Sequence, residues 1–208
     1  MFSKIKYFIQ ESWLLLFMSF LFGLMIAVAD AAWSAKIEQN KIAKMNNLMK
    51  GLISDANAFE VVIKDANMPA GKGQIVKTNI YKALDKKGSG IGFAFVAVGA
   101  GFGDKIELVI AVDATCGEFL GFQVLSANET PGFGDRMKND SFRSQFRGAP
   151  AGELSLIKIG DTGKIDSEIV AISGATVTST AVMNIFNKSV ISVKEQLRQK
   201  GLITGNGG

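Results

Sequence analysis

Residues 13–29 (WLLLFMSFLFGLMIAVA) hold no charged side chain, and the apolar stretch reaches Trp33 if Asp30 lies near its end. As a helix, the segment from Trp13 to Trp33 measures about 30 Å, the thickness of a bilayer's hydrocarbon core. Both tryptophans suit the membrane interfaces. The competing reading is a cleaved signal peptide, since Lys4 and Lys6 precede the run and Ala29-Asp30-Ala31 resembles a cleavage site. An apolar core longer than about 15 residues favours a retained anchor. Orientation stays open on charge alone, because Lys4 and Lys6 on one side face Lys36, Lys41, Lys44 and Lys50 on the other. The overall hydrophobic content of 48% owes much to this one segment, and the remainder reads as an ordinary soluble domain.

Several chemistries are excluded at once. The chain has no histidine, which removes Ser-His-Asp and Cys-His nucleophilic catalysis, imidazole-bound zinc and histidine-ligated haem. Its one cysteine, Cys116, allows no internal disulfide and no CxxC motif. The net charge of +4 is spread without a basic block or aromatic-basic interleave, so nothing points to nucleic acid. No metal site and no catalytic acid or base stands out.

After the apolar run, Ile37, Ile42, Met45, Leu48, Met49, Leu52 and Ile53 follow helical spacing. They predict a stalk whose stripe packs on the folded domain or on a neighbouring subunit. Strands are predicted at 59–64, 74–84, 91–98, 105–113 and 119–125, punctuated by glycine-rich turns. The glycine cluster Gly99-Ala100-Gly101-Phe102-Gly103 lacks both GxGxxG and a Walker lysine, and reads as turn chemistry. A short helix around 141–146 and strands at 154–159 and 168–172 complete the domain. Hairpin spacing predicts an antiparallel sheet with flanking helices, an α+β fold. The expected organisation is an N-terminal segment 1–12, a transmembrane helix 13–33, a helical stalk 34–55, a folded domain 56–200 and a loose tail 201–208.

Two segments remain. Glu129-Thr130-Pro131-Gly132-Phe133-Gly134 reads by itself as a Pro-Gly turn. Ser173-Gly174-Ala175-Thr176-Val177-Thr178-Ser179 opens an amphipathic run whose apolar residues Ala181, Val182, Ile185, Phe186, Val190, Val193 and Leu197 predict a helix stopped by Gly201. Ser173, Thr176 and Thr178 are its candidate N-caps. The unpaired amides of the first turn suit an anion, and Gly174 and Ala175 leave room for a phosphate to approach them and the Thr176 hydroxyl together.

Taken together with the N-terminal anchor and the Tyr81-Lys82-Ala83-Leu84 strand, these two motifs closely resemble the FMN-binding G subunit of Rnf-type ion-translocating electron-transport complexes. The C subunit of sodium-translocating NADH:quinone oxidoreductase is a relative with the same motifs, usually with a longer domain outside the membrane. The resemblance implies FMN joined through its phosphate to Thr176, the phosphoester being made from FAD by a separate flavin transferase. It places Ser173, Gly174, Ala175, Val177 and Thr178 around that attachment. Glu129, Thr130, Gly132, Phe133 and Gly134 then lie against the flavin, with Phe133 where leucine is usual. Members commonly carry an aspartate six residues before the acceptor; here Val170 stands there, with Asp166 and Glu168 out of register. The implied function is electron relay between neighbouring subunits of a redox-driven ion pump in a bacterial cytoplasmic membrane, with the FMN domain on the outer, periplasmic face. The alternatives are a cofactor-free assembly subunit, the corresponding quinone-reductase subunit, and a membrane-tethered flavin reductase.

Overall fold

A computed structural model describes residues 2–71 and 73–203, with side chains from residue 10 onward. The predicted tail from 204 to 208, and the side chains of Lys4 and Lys6, lie outside the described residues. Residues 1–43 and 44–208 form two compact units.

Helix α1 runs Phe2–Leu52. Its section from Gln10 is long and apolar enough to cross a membrane, and none of its most apolar window is buried by protein. Trp13 and Trp33 are both exposed, as are Leu15, Phe20 and Ile26. Among the described residues of the second unit, most large apolar side chains gather instead in a core.

The second unit is built on a five-strand antiparallel sheet in sequence order, β1 (Ala58–Pro69), β2 (Ile75–Leu84), β3 (Gly90–Ala100), β4 (Lys105–Asp113) and β5 (Phe119–Ala127). Both faces of its middle are covered, which is why β4 reads as a continuous apolar run from Leu108 to Val112 instead of alternating. Ile106, Leu108, Ile110 and Val112 face the larger core, with Phe93 and Phe95 of β3 beside them. Val109 and Ala111 face the opposite way, onto Met49 and Ile53 at the end of α1 and just beyond it. Met45, Leu48 and Leu52 pack on the same cluster, so this half of the predicted stripe packs on the domain. Ile37 and Ile42 are exposed.

Over the larger face lies α3 (Thr176–Gln199), which buries Val182, Ile185, Phe186, Val190, Val193 and Leu197. Gly99 lets it approach, since a Cβ there would stand 2.4 Å from Ile185 Cγ1. At its far end Gly201 (φ +67°) stops the helix as predicted. Its amide donates to the Arg198 carbonyl and that of Leu202 to the Leu197 carbonyl, the paired bonds of a Schellman motif. Between sheet and helix runs a tight segment: a 3-10 turn at Gly134–Lys138, the short α2 (Asp140–Arg143) and a second 3-10 turn at Ser144–Phe146.

The structure departs from the expectation in several places. β1 continues to Pro69 through an irregularity at Asp65, which takes φ +52° and shifts the register between Ile63 and Ala66. The strands expected at 154–159 and 168–172 shorten to β6 (Ser155–Ile157) and β7 (Glu168–Val170), and they pair parallel, apart from the main sheet. Cys116, in the β4–β5 turn, is buried with φ +56°. Burial pushes its thiol up to about 12, with the Asp113 carboxylate adding to the effect, so the group stays protonated and unreactive at neutral pH.

Candidate functional site: a cavity between two turns and a helix start

The two motifs meet through a matched pair of turns. In the first, Phe133 N–H donates to the Thr130 carbonyl (3.2 Å) across Pro131 and Gly132, with Gly132 at φ +77°. In the second, Ala175 N–H donates to the Ile172 carbonyl (3.0 Å) across Ser173 and Gly174, with Gly174 at φ +80°. Each has glycine at the third place, where a type II turn needs positive φ. The turns also touch. A Cβ on Gly174 would lie 3.3 Å from the Phe133 ring, so the second glycine serves conformation and contact alike.

Between them opens a cavity of about 480 Å³, within the roughly 300–1,000 Å³ range of small-molecule sites. Thr130, Phe133 and Gly134 line it from the loop. Gly174, Ala175, Thr176, Val177 and Thr178 line it from the start of α3. Phe102, from the turn after β3, adds a further wall that the sequence motifs do not include. Glu129, Gly132 and Ser173 do not line it; Ser173 borders a smaller neighbouring cavity with Arg136 and Val170.

None of the three predicted N-caps caps α3. Ala175 occupies that position, without a side-chain hydrogen bond. The hydroxyls go elsewhere. Ser179 Oγ accepts from Ile172 N–H (2.9 Å) and donates to the Ala175 carbonyl (3.0 Å), pinning the second turn to the helix from inside. Thr178 donates to Glu129. Thr176 is exposed and its hydroxyl makes no hydrogen bond among the described residues. The first-turn amides of Thr176, Val177 and Thr178 have no preceding carbonyl in the helix, and no acidic side chain occupies this turn. An uncapped helix start, a free hydroxyl and apolar walls fit a ligand with a phosphate at one end and a flat apolar ring system at the other.

Glu129 positions this arrangement. It is 9% exposed, and its carboxylate joins three segments. Oε1 accepts from the amides of Phe102 (2.9 Å) and Gly103 (3.2 Å), while Oε2 accepts from the Thr178 hydroxyl. Two glycines make way for it. A Cβ on Gly101 would stand 2.3 Å from Oε1, and one on Gly134 would stand 2.6 Å from both Oε2 and Thr178 Oγ1. Glu129→Ala strands those donors and is expected to cost about 1–3 kcal/mol. Glu129→Gln can keep all three bonds, with the Thr178 hydroxyl turned to accept, and is expected to lose less than half as much. Urea unfolding of the two variants checks the order; equal losses would show that the carboxylate's geometry is immaterial.

Val170 sits in β7 with both its backbone groups bonded to Gln145: its amide donates to Oε1 (2.8 Å) and its carbonyl accepts from Nε2 (3.3 Å). Asp166 pairs with Lys164 and accepts the Glu168 amide; the Lys164 ammonium, then that amide, hold its carboxyl below the ordinary value.

Comparison with known proteins agrees with this geometry. Residues 101–190 match the family model of the FMN-binding domain, a span that contains both turns, Phe102 and the start of α3. The G subunit of the proton-translocating ferredoxin:NAD(+) oxidoreductase complex of Clostridium ljungdahlii is 32% identical over 186 residues, covering 89% of this chain and 88% of the relative. The chain belongs to the G-subunit family of Rnf-type complexes. The G subunit of an ion-translocating oxidoreductase complex from Methanosarcina acetivorans is 28% identical over 83% of this chain and 87% of its own length. Among solved structures, the C subunit of the Na(+)-translocating NADH-quinone reductase from Parabacteroides distasonis shares the fold. It has a TM-score of 0.53 and 19% identity, covering 81% of this chain and 96% of that one. NqrC of Shewanella oneidensis gives 0.51 and 22%, covering 70% and 73%. The protein therefore has FMN as its cofactor and works beside other subunits of an ion-translocating oxidoreductase.

Proposed function

We propose that this G subunit relays electrons through FMN esterified to Thr176, within a membrane complex that couples ferredoxin:NAD+ oxidoreduction to ion translocation. The observation that carries the reading is Thr176 itself: an exposed hydroxyl without an internal partner, in the wall of an apolar cavity, on the first residue of a long uncapped helix. The first-turn amides of Thr176, Val177 and Thr178 would hold the phosphate, since the helix dipole there favours negative charge. Thr130, Gly134, Gly174, Ala175, Val177 and Thr178 shape the cavity, and Phe133 supplies an apolar face for the ring system. Glu129, Gly132 and Ser173 act from behind, through the turns they build. The flavin supplies the redox chemistry; this chain binds it, orients it and sets its surroundings.

A flavin transferase forms the phosphoester by joining the Thr176 oxygen to the FMN phosphorus of FAD, with AMP leaving. The exposed position of Thr176 and Val177 leaves the acceptor open to such a partner. Residues 13–33 cross the cytoplasmic membrane from a cytoplasmic segment 1–12, residues 34–55 form the stalk, and residues 56–200 form the FMN domain on the periplasmic face. The length and composition of α1 support the crossing.

The chain produced in a host with a flavin transferase is expected to carry flavin fluorescence through a denaturing gel. Its intact mass should exceed that of the bare polypeptide by one esterified FMN. A colourless band at the bare mass would remove the covalent reading.

A further inference from the structure

We propose that Phe102 is a flavin-contacting residue, a second aromatic surface for the ring system beside Phe133. The inference rests on the reading of the cavity as the FMN site, and extends it to a segment outside both motifs.

Phe102 is 66% exposed although it belongs to a domain that buries its other apolar rings thoroughly. Phe93, Phe95, Phe119, Phe122, Phe146 and Phe186 are all at or below 2%. The exceptions in the domain are Phe133, at 54%, and Phe59, which is partly covered against the smaller core. Phe102 and Phe133 border the same cavity, and so does Val177, at 57% exposure. Neither ring makes a ring–ring contact among the described residues, whereas the buried phenylalanines around Phe186 do. A flat apolar ligand in that space would cover both rings and recover the burial they lack.

The backbone of Phe102 is held for this position. The turn closes by the Gly101 amide donating to the Asp104 carbonyl (2.8 Å). The Phe102 amide is fixed on Glu129 Oε1, and the other oxygen of the same carboxylate takes the Thr178 hydroxyl. One buried side chain thus sets the distance between the Phe102 turn and the helix start that carries Thr176. Gly101 and Gly103 belong to the same device, since a Cβ on Gly103 would stand 2.3 Å from the Asn128 carbonyl oxygen. A turn needed only to join β3 to β4 has no use for a phenylalanine pointing out of the core beside the cavity.

The test uses the full flavinylated chain in detergent. An indole or phenol in van der Waals contact with an excited isoalloxazine lends it an electron and takes it back, which quenches its emission without net change. Phe102→Trp and Phe102→Tyr are compared with Phe133→Trp, and with Ile191→Trp on the exposed side of α3. The readout is flavin emission of the native protein divided by that of the same sample denatured, which cancels differences in flavin content. Both Phe102 variants are expected to lower this ratio several-fold, as Phe133→Trp does, while Ile191→Trp leaves it unchanged. A ratio unchanged at 102 but lowered at 133 would overturn the proposal while leaving the FMN site standing. If neither position responds although the denatured chain carries flavin, the proposal fails along with the placement of the ring in this cavity. A chain that carries no flavin and binds no added FMN would sink the site reading and the proposal together.

Discussion

With Thr176 replaced by alanine, the chain is expected to run through a denaturing gel without flavin fluorescence, while Thr178→Ala and Thr180→Ala keep the band. The four hydroxyls in the first five residues of α3 are chemically alike, and their surroundings separate them. Thr178 is buried and donates to Glu129. Ser179 is fully buried and committed between Ile172 and Ala175. Thr180 donates back to the Thr176 carbonyl (2.8 Å) one turn along. Only Thr176 of these four combines exposure, a place in the cavity wall and no internal bond. Thr176→Ser preserves the nucleophilic oxygen and should retain part of the band. Persistence of full fluorescence in Thr176→Ala would assign the acceptor elsewhere.

Phe186→Ala is expected to cost about 3–5 kcal/mol, a large share of the roughly 5–15 kcal/mol that holds a domain folded. Its ring is fully buried at the centre of an aromatic cluster, with centroids 4.9 Å from Phe119, 5.3 Å from Phe122 and 4.5 Å from Phe146. The edge-to-face contacts with Phe119 and Phe122 add to simple burial. Removing the ring leaves a cavity where α3, β5 and the turn at Ser144–Phe146 come together, so the helix that presents Thr176 loses its principal anchor. Ile191, on the same helix but 66% exposed, should change stability by no more than about 0.5 kcal/mol when cut to alanine. Urea midpoints of the two variants give the comparison. Equal midpoints would mean that α3 is not held through Phe186.

The main elements were legible because local signals agreed with the tertiary outcome. β4 falls at 105–113 as read from sequence, since both its apolar run and its flanking turns are local. The predicted β1 ends at Lys64; in the fold Asp65 is a single left-handed residue that the strand passes through. The parallel pairing of β6 and β7 carries no local signature. It depends on Gln145, Asn187 and the backbone partners they supply from elsewhere: Asn187 receives the Leu154 amide at 2.9 Å and donates to its carbonyl at 2.8 Å.

At the site, Gly132 is legible as a turn former and Gly174 as room for a phosphate, and the resemblance supplies the role of Thr176. The caps expected at Ser173, Thr176 and Thr178 do not form because Ala175 takes the cap position, and the Thr178 hydroxyl answers to Glu129, a partner that sequence spacing does not reveal. The resemblance sets Glu129 against the flavin; its hydrogen bonds to Thr178 and to amides 26 and 27 residues away carry no signal in the local sequence. Phe102 escaped for the same reason. The glycine cluster around it is turn chemistry, as read, and nothing local says that its side chain borders a cavity built by two later segments.

The proposed phosphoester at Thr176 is most directly tested by fragmenting the peptide that contains it, from protein made with a flavin transferase, in a mass spectrometer. The account predicts an FMN phosphoryl group on Thr176 and on no other residue. An unmodified Thr176 with FMN on a neighbouring hydroxyl, or an unmodified peptide from protein that nevertheless retains flavin, would contradict it.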